Sequence, residues 1–248
     1  YLSAVLKQHG HSVRLVDRFV QRNEWVGPNE EFDFVGVYAS SPFFEDCLEV
    51  LRLLEARGYQ GPIAFGGPHP SVFPRTVPPR VDYIINDLVQ GVHPRGKILR
   101  TPRVDDLDAL PRADFRLFME PARKYDVGFG FSNAKPVFNL CTSRSCPYQC
   151  SFCGVRDIWG RLYRAQSAER IFDDISYRKR EFGCAGVYFR EDLFTADHKR
   201  VRALSELLIK DGTNIEWACE TRVDAGADEE LVKLMARSGC RGFYIGAE

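Results

Sequence analysis

Short apolar runs bounded by turn residues alternate with longer stretches of helical period along most of the 248-residue chain. Residues 1–8 predict a helix with Leu2, Val5 and Leu6 on one face, closed by Gly10. Residues 12–17 predict a strand with Asp17 at its carboxyl end, and 34–38 a second strand. Residues 45–57 turn Leu48, Leu51 and Leu54 inward and stop at Gly58; 62–65 and 81–85 supply the third and fourth strands. Residues 94–135 carry Pro94, Pro102, Pro111 and Pro121 with little periodicity and read as a linker, in which 128–132 is either a hairpin or a flap. Beyond it, strands at 136–141, 186–189, 215–219 and 242–248 alternate with helices starting at Ser167, His198 and Asp228. Strands that alternate with helices predict parallel sheets covered by helices, so the fold class is α/β.

Composition adds bounds. Lys plus Arg and Asp plus Glu balance at 34 each, which gives no basic surface that asks for nucleic acid. No apolar run is long enough to span a bilayer, and no signal-peptide pattern precedes the first predicted elements. With eight cysteines, three of them at cluster-type spacing, a reducing cytoplasm is the expected compartment. The chain opens within a helical pattern and stops within a strand-like one, which predicts a portion of a longer protein.

The chemistry concentrates in Thr142-Ser-Arg-Ser-Cys146-Pro-Tyr-Gln-Cys150-Ser-Phe-Cys153. Three thiolates at Cys-x3-Cys-x2-Cys spacing can hold three irons of a 4Fe–4S cluster and leave the fourth open. The rival reading is a zinc site with Cys141 as a fourth thiolate, but no second cysteine knuckle is present to complete the usual pattern. Cys47, Cys184, Cys219 and Cys240 lie among apolar residues and read as core. Charged residues stand where the later strands end: Glu191 and Asp192, Glu220 and Arg222, and Glu248. In parallel barrels that is where reactive residues project. In the first sheet the corresponding strand ends carry Ser40 and Ser41, and Gly66-Gly67-Pro68-His69; glycines there permit close backbone approach to a ligand, or form a tight turn.

The cysteine stretch, with Phe152 directly before its third cysteine, resembles the cluster loop of the radical S-adenosylmethionine (SAM) superfamily. The first 85 residues or so resemble the Rossmann-like domains that bind cobalamin, with a Gly-Gly turn after a strand and a serine loop after another, although Tyr38 stands where that family often has serine. The resemblance implies a cobalamin-binding domain over 1–93 that lacks its first strand, a linker over 94–135, and the first part of a (β/α) radical SAM barrel over 136–248. Asp105 to Pro111 is similar to the connector of that family.

It implies further that Cys146, Cys150 and Cys153 hold a 4Fe–4S cluster. Glu191, with Asp192 as its substitute, would receive the SAM ammonium and Arg222 its carboxylate. Glu220 and Glu248 would meet ribose or the amino group, and Phe152 the adenine. Ser40, Ser41, Gly66, Gly67, Pro68 and His69 would line the corrinoid. The implied activity is a methyl transfer to an unactivated carbon or to phosphorus through a 5′-deoxyadenosyl radical and methylcobalamin. The alternatives are a cyclase or rearrangement enzyme with or without cobalamin, and a non-catalytic corrinoid or Fe–S carrier. Implied partners are a small-molecule substrate, such as a natural-product intermediate, and an external reductant such as flavodoxin or ferredoxin.

Overall fold

The computed structural model describes residues 1–19, 21, 30–85, 97–99, 103–118, 128–130, 132–224 and 228–246. Its contacts divide the chain into two compact units. One comprises 1–15, 105–150 and 161–248; the other comprises 16–104 and 151–160. The units therefore cut across chain order. The first helix and most of the expected linker group with the later strands, and ten residues of the cysteine stretch and its sequel group with the earlier ones.

In the unit built from 16–104, four strands run parallel in the order β1 (Val35–Tyr38), β2 (Ile63–Gly66), β3 (Tyr83–Ile85) and β4 (Lys97–Leu99). Helix α2 (Phe44–Ala56) buries Cys47, Val50, Leu51 and Leu54 against Ile63, Phe65 and Ile84. β4 lies inside the segment expected as linker. The strand expected at 12–17 does not form. Leu15 is exposed there and Phe19 donates its backbone N–H to Asp17; among the described residues no strand pairs with 12–17, and a β-prone sequence unpaired in this way stays irregular. Helix α3 (Pro68–Val72) follows β2, and α4 (Val155–Trp159) packs on it. His69 is buried in α3, stacked on Phe44 at 3.7 Å, with Nδ1 3.0 Å from Ser41 Oγ and Nε2 2.8 Å from Thr76 Oγ1.

In the other unit, β5 (Val137–Leu140), β8 (Gly186–Phe189), β9 (Glu216–Arg222) and β10 (Cys240–Gly246) form a second parallel sheet in the order β10-β9-β8-β5. A two-residue antiparallel ribbon, β6 (Ser143–Arg144) with β7 (Arg164–Ala165), stands apart from it. Helices α5 (Ala168–Phe182), α6 (His198–Asp211) and α7 (Glu229–Arg237) connect the sheet strands, as the four-strand repeat predicted. Their core centres on Trp217, with Phe189 and Phe194 at 5.6 and 5.7 Å, and Trp217 Nε1 donates to Ser238 O at 3.1 Å. Helix α1 (Leu2–Gln8) is tied to this unit by Lys7 and Asp114 at 2.6 Å.

The connector earns its place in the same unit by capping α5. Asp108 accepts from Ser167 N at 2.9 Å, Leu110 O accepts from Arg170 Nη2 at 3.1 Å, and Arg112 reaches buried Asp174 at 3.1 Å. Residues 128–130 form no strand; Phe129 is buried and Gly130 N donates to Tyr244 OH. Among the described residues no helix is long and apolar enough to cross a membrane.

Two measurements follow from these contacts. Ser167 caps α5 by accepting from Arg170 N at 3.1 Å, so Ser167→Ala lowers unfolding stability by about 1 kcal/mol in urea titration. Desolvation holds the His69 imidazole below its usual value, so folding favours its neutral form. The unfolded chain then binds more protons just below the ordinary histidine value. Stability is therefore complete above about pH 6.5 and falls as pH drops toward the folded value, by at most about 1.4 kcal/mol per pH unit for one proton. Urea titrations at pH 7.5, 6.0 and 5.0 show this fall in the parent and a smaller one in His69→Gln.

Candidate functional site

The cysteine stretch begins where β5 ends. Past Leu140 the chain turns into β6, which pairs with β7, and Gln166 N donates to Thr142 O at 2.8 Å. The segment between Arg144 and Arg164 is thus an excursion tied at its base. Ser145, buried, takes a left-handed backbone conformation (φ 68°) just before the first motif cysteine. Cys146 and Cys150 belong to this unit and are half-buried; Cys153, also half-buried, belongs to the unit built from 16–104.

Burial sorts the eight thiols. Cys47, Cys184, Cys219 and Cys240 are buried core residues, as their apolar surroundings predicted. Burial pushes Cys47 and Cys184 up to about 11, Cys240 up to about 12, and Cys219 well above its ordinary value. Half-buried Cys141 is also raised to about 11, first by desolvation. Metal binding needs thiolate, so these five are poor donors at neutral pH. Arg222 lays its guanidinium 4.0 Å above the Tyr148 ring and directs Nη1 to Cys150 Sγ at 3.4 Å, which puts a positive charge on one motif sulfur. Among the described residues no three His, Cys, Asp or Glu side chains are already grouped around a common point. The donor chemistry nonetheless fits an iron–sulfur cluster, because the three thiols at cluster spacing are the ones that escape deep burial outside Cys141.

The acids at the strand ends divide sharply. Glu191, after β8, is buried, and its carboxylate accepts from Thr142 N at 2.5 Å, from the hydroxyls of Thr142 and Ser143, and from Arg200 Nη2 at 3.4 Å. Asp192, one residue on, is exposed. Partial desolvation and then the negative charges of Glu191 and Glu220 raise its carboxyl above the ordinary range. Glu220, within β9, accepts from Tyr188 OH at 2.8 Å, and desolvation and this bond push the Tyr188 phenol up. Arg222 is also held by Asp224 at 3.0 and 3.1 Å. Phe152 is exposed in the other unit, and Glu248 lies outside the described residues.

In that other unit the residues expected around a corrinoid meet at the carboxyl ends of β1 and β2. Gly67 has φ 99°, and a Cβ there would stand 2.8 Å from Ala39 O, so only glycine fits. Ser71 Oγ donates to Gly67 O at 2.7 Å. Ser40 precedes the turn at Ser41–Phe43, and Ser41 holds His69 as described above. With a hydroxyl on each ring nitrogen, His69 is engaged within the protein. Tyr38, Phe43 and Phe73 are exposed near the same strand ends. Phe44 instead packs inward on His69 and Phe65.

Sequence reading missed Thr142, Ser143 and Arg200. A Thr-Ser pair at a strand end was a faint signal for carboxylate capping. Arg200, inside α6, gave none.

The radical SAM superfamily matches residues 140–248. A protein named as an uncharacterized methyltransferase in Pyrococcus horikoshii is 24% identical over 282 residues, covering 100% of this chain and 59% of its own length. Among solved structures, the radical SAM methyltransferase TsrM from Kitasatospora setae, with tryptophan substrate and a SAM analog bound, superposes with a TM-score of 0.67 at 16% identity, over 99% of this chain and 55% of its own. OxsB, a cobalamin-dependent SAM radical enzyme solved with aqua-cobalamin and SAM, gives 0.61 at 18% identity, over 87% and 35%. At these identities the two structures speak for the fold alone. The chain spans little more than half the length of the Pyrococcus relative. The radical SAM superfamily match over 140–248 takes in the cysteine loop and the later strand–helix repeat, and the chain is similar to a relative named as a methyltransferase and, in fold, to a radical SAM methyltransferase and a cobalamin-dependent SAM radical enzyme.

Proposed function

We propose that the intact protein is a cobalamin-dependent radical SAM methyltransferase acting on an unactivated carbon, or on phosphorus, of a small molecule. The observation that carries this reading is the tied loop of three accessible cysteines that starts at the end of β5, with acids at the ends of neighbouring parallel strands. Cys146, Cys150 and Cys153 would hold the 4Fe–4S cluster; bound there it supplies the electron that cleaves the carbon–sulfur bond of SAM, while the corrinoid supplies the methyl group.

The chain's own residues bind and orient. Asp192 and Glu220 offer carboxylates to an ammonium group; partial desolvation and the negative charges of Glu191 and Glu220 raise the Asp192 carboxyl, and a bound cation there would offset that repulsion. Arg222, fixed on Tyr148 and Asp224, presents a guanidinium suited to a carboxylate. Phe152 offers an exposed ring to adenine, and Glu248 a polar partner to ribose. Gly66, Gly67, Pro68, Ser40 and Ser41 would form the backbone-lined approach for the corrinoid, with Tyr38 and Phe43 giving apolar surface and His69 holding the turn. Electrons would come from a flavodoxin- or ferredoxin-type donor in the cytoplasm.

The test uses intact protein, anaerobically reconstituted, with extracted corrinoid, 5′-deoxyadenosine and S-adenosylhomocysteine quantified together. Corrinoid with both products supports methyl transfer. Corrinoid and deoxyadenosine without S-adenosylhomocysteine redirect the reading to cyclisation or rearrangement. Iron and deoxyadenosine both absent overturn it.

Asp192→Asn weakens SAM binding tenfold or more in equilibrium dialysis, the scale of a charge-assisted hydrogen bond (about 1.5–3 kcal/mol). Ammonium binding needs the carboxylate, and its value is raised. Parental affinity therefore falls as the medium is acidified through that value, starting at higher pH than an ordinary aspartate would give, and Asp192→Asn removes this dependence.

A further inference from the structure

We infer that Glu191 is a positioning residue for the cysteine loop and takes no part in receiving SAM. The inference rests on the proposed cluster site and deepens it. A carboxylate offers about four acceptor positions. In Glu191, whose side chain is wholly buried, four donors fill them: Thr142 N and Thr142 Oγ1 on one oxygen, Ser143 Oγ and Arg200 Nη2 on the other. Nothing is left for an incoming ammonium.

The donors say what the acid does. Three of the four lie on Thr142 and Ser143, two of the five residues between β5 and the first motif cysteine. The pairing of β5 with β8 runs from Val137 and ends at Leu140, whose carbonyl accepts from Arg190 N at 2.8 Å. Two residues later, Glu191 takes over the Thr142 amide. The carboxylate thus continues the ladder by one step past its end and sets the direction in which the chain leaves the sheet. Arg200 holds the acid from behind. Its Nη1 donates to Thr142 Oγ1 at 3.2 Å and its Nη2 to Phe194 O at 3.0 Å, and α6 carries it as a fixed element. In the bend after β8, Glu191 is buried while Asp192 is exposed, where SAM could meet it.

The test is hydrogen exchange on the intact, cluster-free protein, followed by cluster release from the reconstituted one. Glu191→Gln keeps the shape and removes the charge. Glu191→Leu with Arg200→Met removes the pair without orphaning a buried charge, which guards against loss of the fold. In both, amides of residues 141–146 are expected to exchange at least tenfold faster, while those of α5 and α7 keep parental rates. Chelators are expected to strip iron at least tenfold faster. SAM binding to molecules that retain the cluster stays within twofold of the parent, in contrast to Asp192→Asn. Unchanged exchange at 141–146, or full cluster retention with a tenfold loss of SAM affinity in Glu191→Gln, overturns the inference. If the parent takes up no iron at all, the cluster reading fails, and exchange at 141–146 still decides whether Glu191 anchors the segment.

Discussion

A carboxylate withdrawn from water must find hydrogen-bond donors for both oxygens, or folding is penalised heavily. Glu191 meets that demand with Thr142, Ser143 and Arg200, and the cysteine loop depends on how it does so. The donors come from the exit of β5, from the start of the ribbon and from α6. One buried group therefore joins a sheet edge, a loop base and a helix. The ribbon and the bond from Gln166 to Thr142 close the other side of the loop, so its start and finish are fixed by separate contacts.

The same solution recurs within α5, where the connector meets it. Asp174 is buried and surrounded by Arg112, Arg170 and Arg178 at 3.1 to 3.6 Å. Arg112 arrives from a segment without regular periodicity, and its ion pairs add to the apolar packing of Leu107 and Phe115 there. Both buried acids fasten irregular chain to a regular helix. This explains how the irregular residues 105–118 come to belong to a compact unit.

Much of this was legible in sequence, for identifiable reasons. Strands buried on both sides announce themselves as continuous apolar runs, as β2 and β8 do, whereas β5 is legible although its burial alternates and Asn139 is exposed. Ser167 and Asp228 stood at the helix starts they cap, because a short side-chain acceptor before a helical period has few other uses. The segment 12–17 failed because strand formation is a property of a pair, and its apolar residues had no partner. β4 was hidden because three residues between Gly96 and Arg100 are too few to show a period. The acids Glu191 and Asp192 are legible as a pair, with Glu191 put first for the SAM ammonium; the structure buries Glu191 and leaves Asp192 exposed. Sequence shows that a charge sits at a strand end; which way it points is decided by donors 48, 49 and 9 residues away. The cysteines were legible because their chemistry is encoded in spacing, which needs no tertiary context.

The ribbon that ties the base of the cysteine loop has a consequence in entropy. Closing a flexible loop costs free energy that grows only with the logarithm of its length, about 0.6 kcal/mol for each doubling. Here that closure is made by folding, through Ser143 with Ala165 and Arg144 with Arg164. Whatever gathers the three thiols then has to order only the interior of a segment whose ends are already held. The same logarithm makes the interior tolerant of insertion, since lengthening it leaves the ribbon, and the sheet beyond it, unchanged.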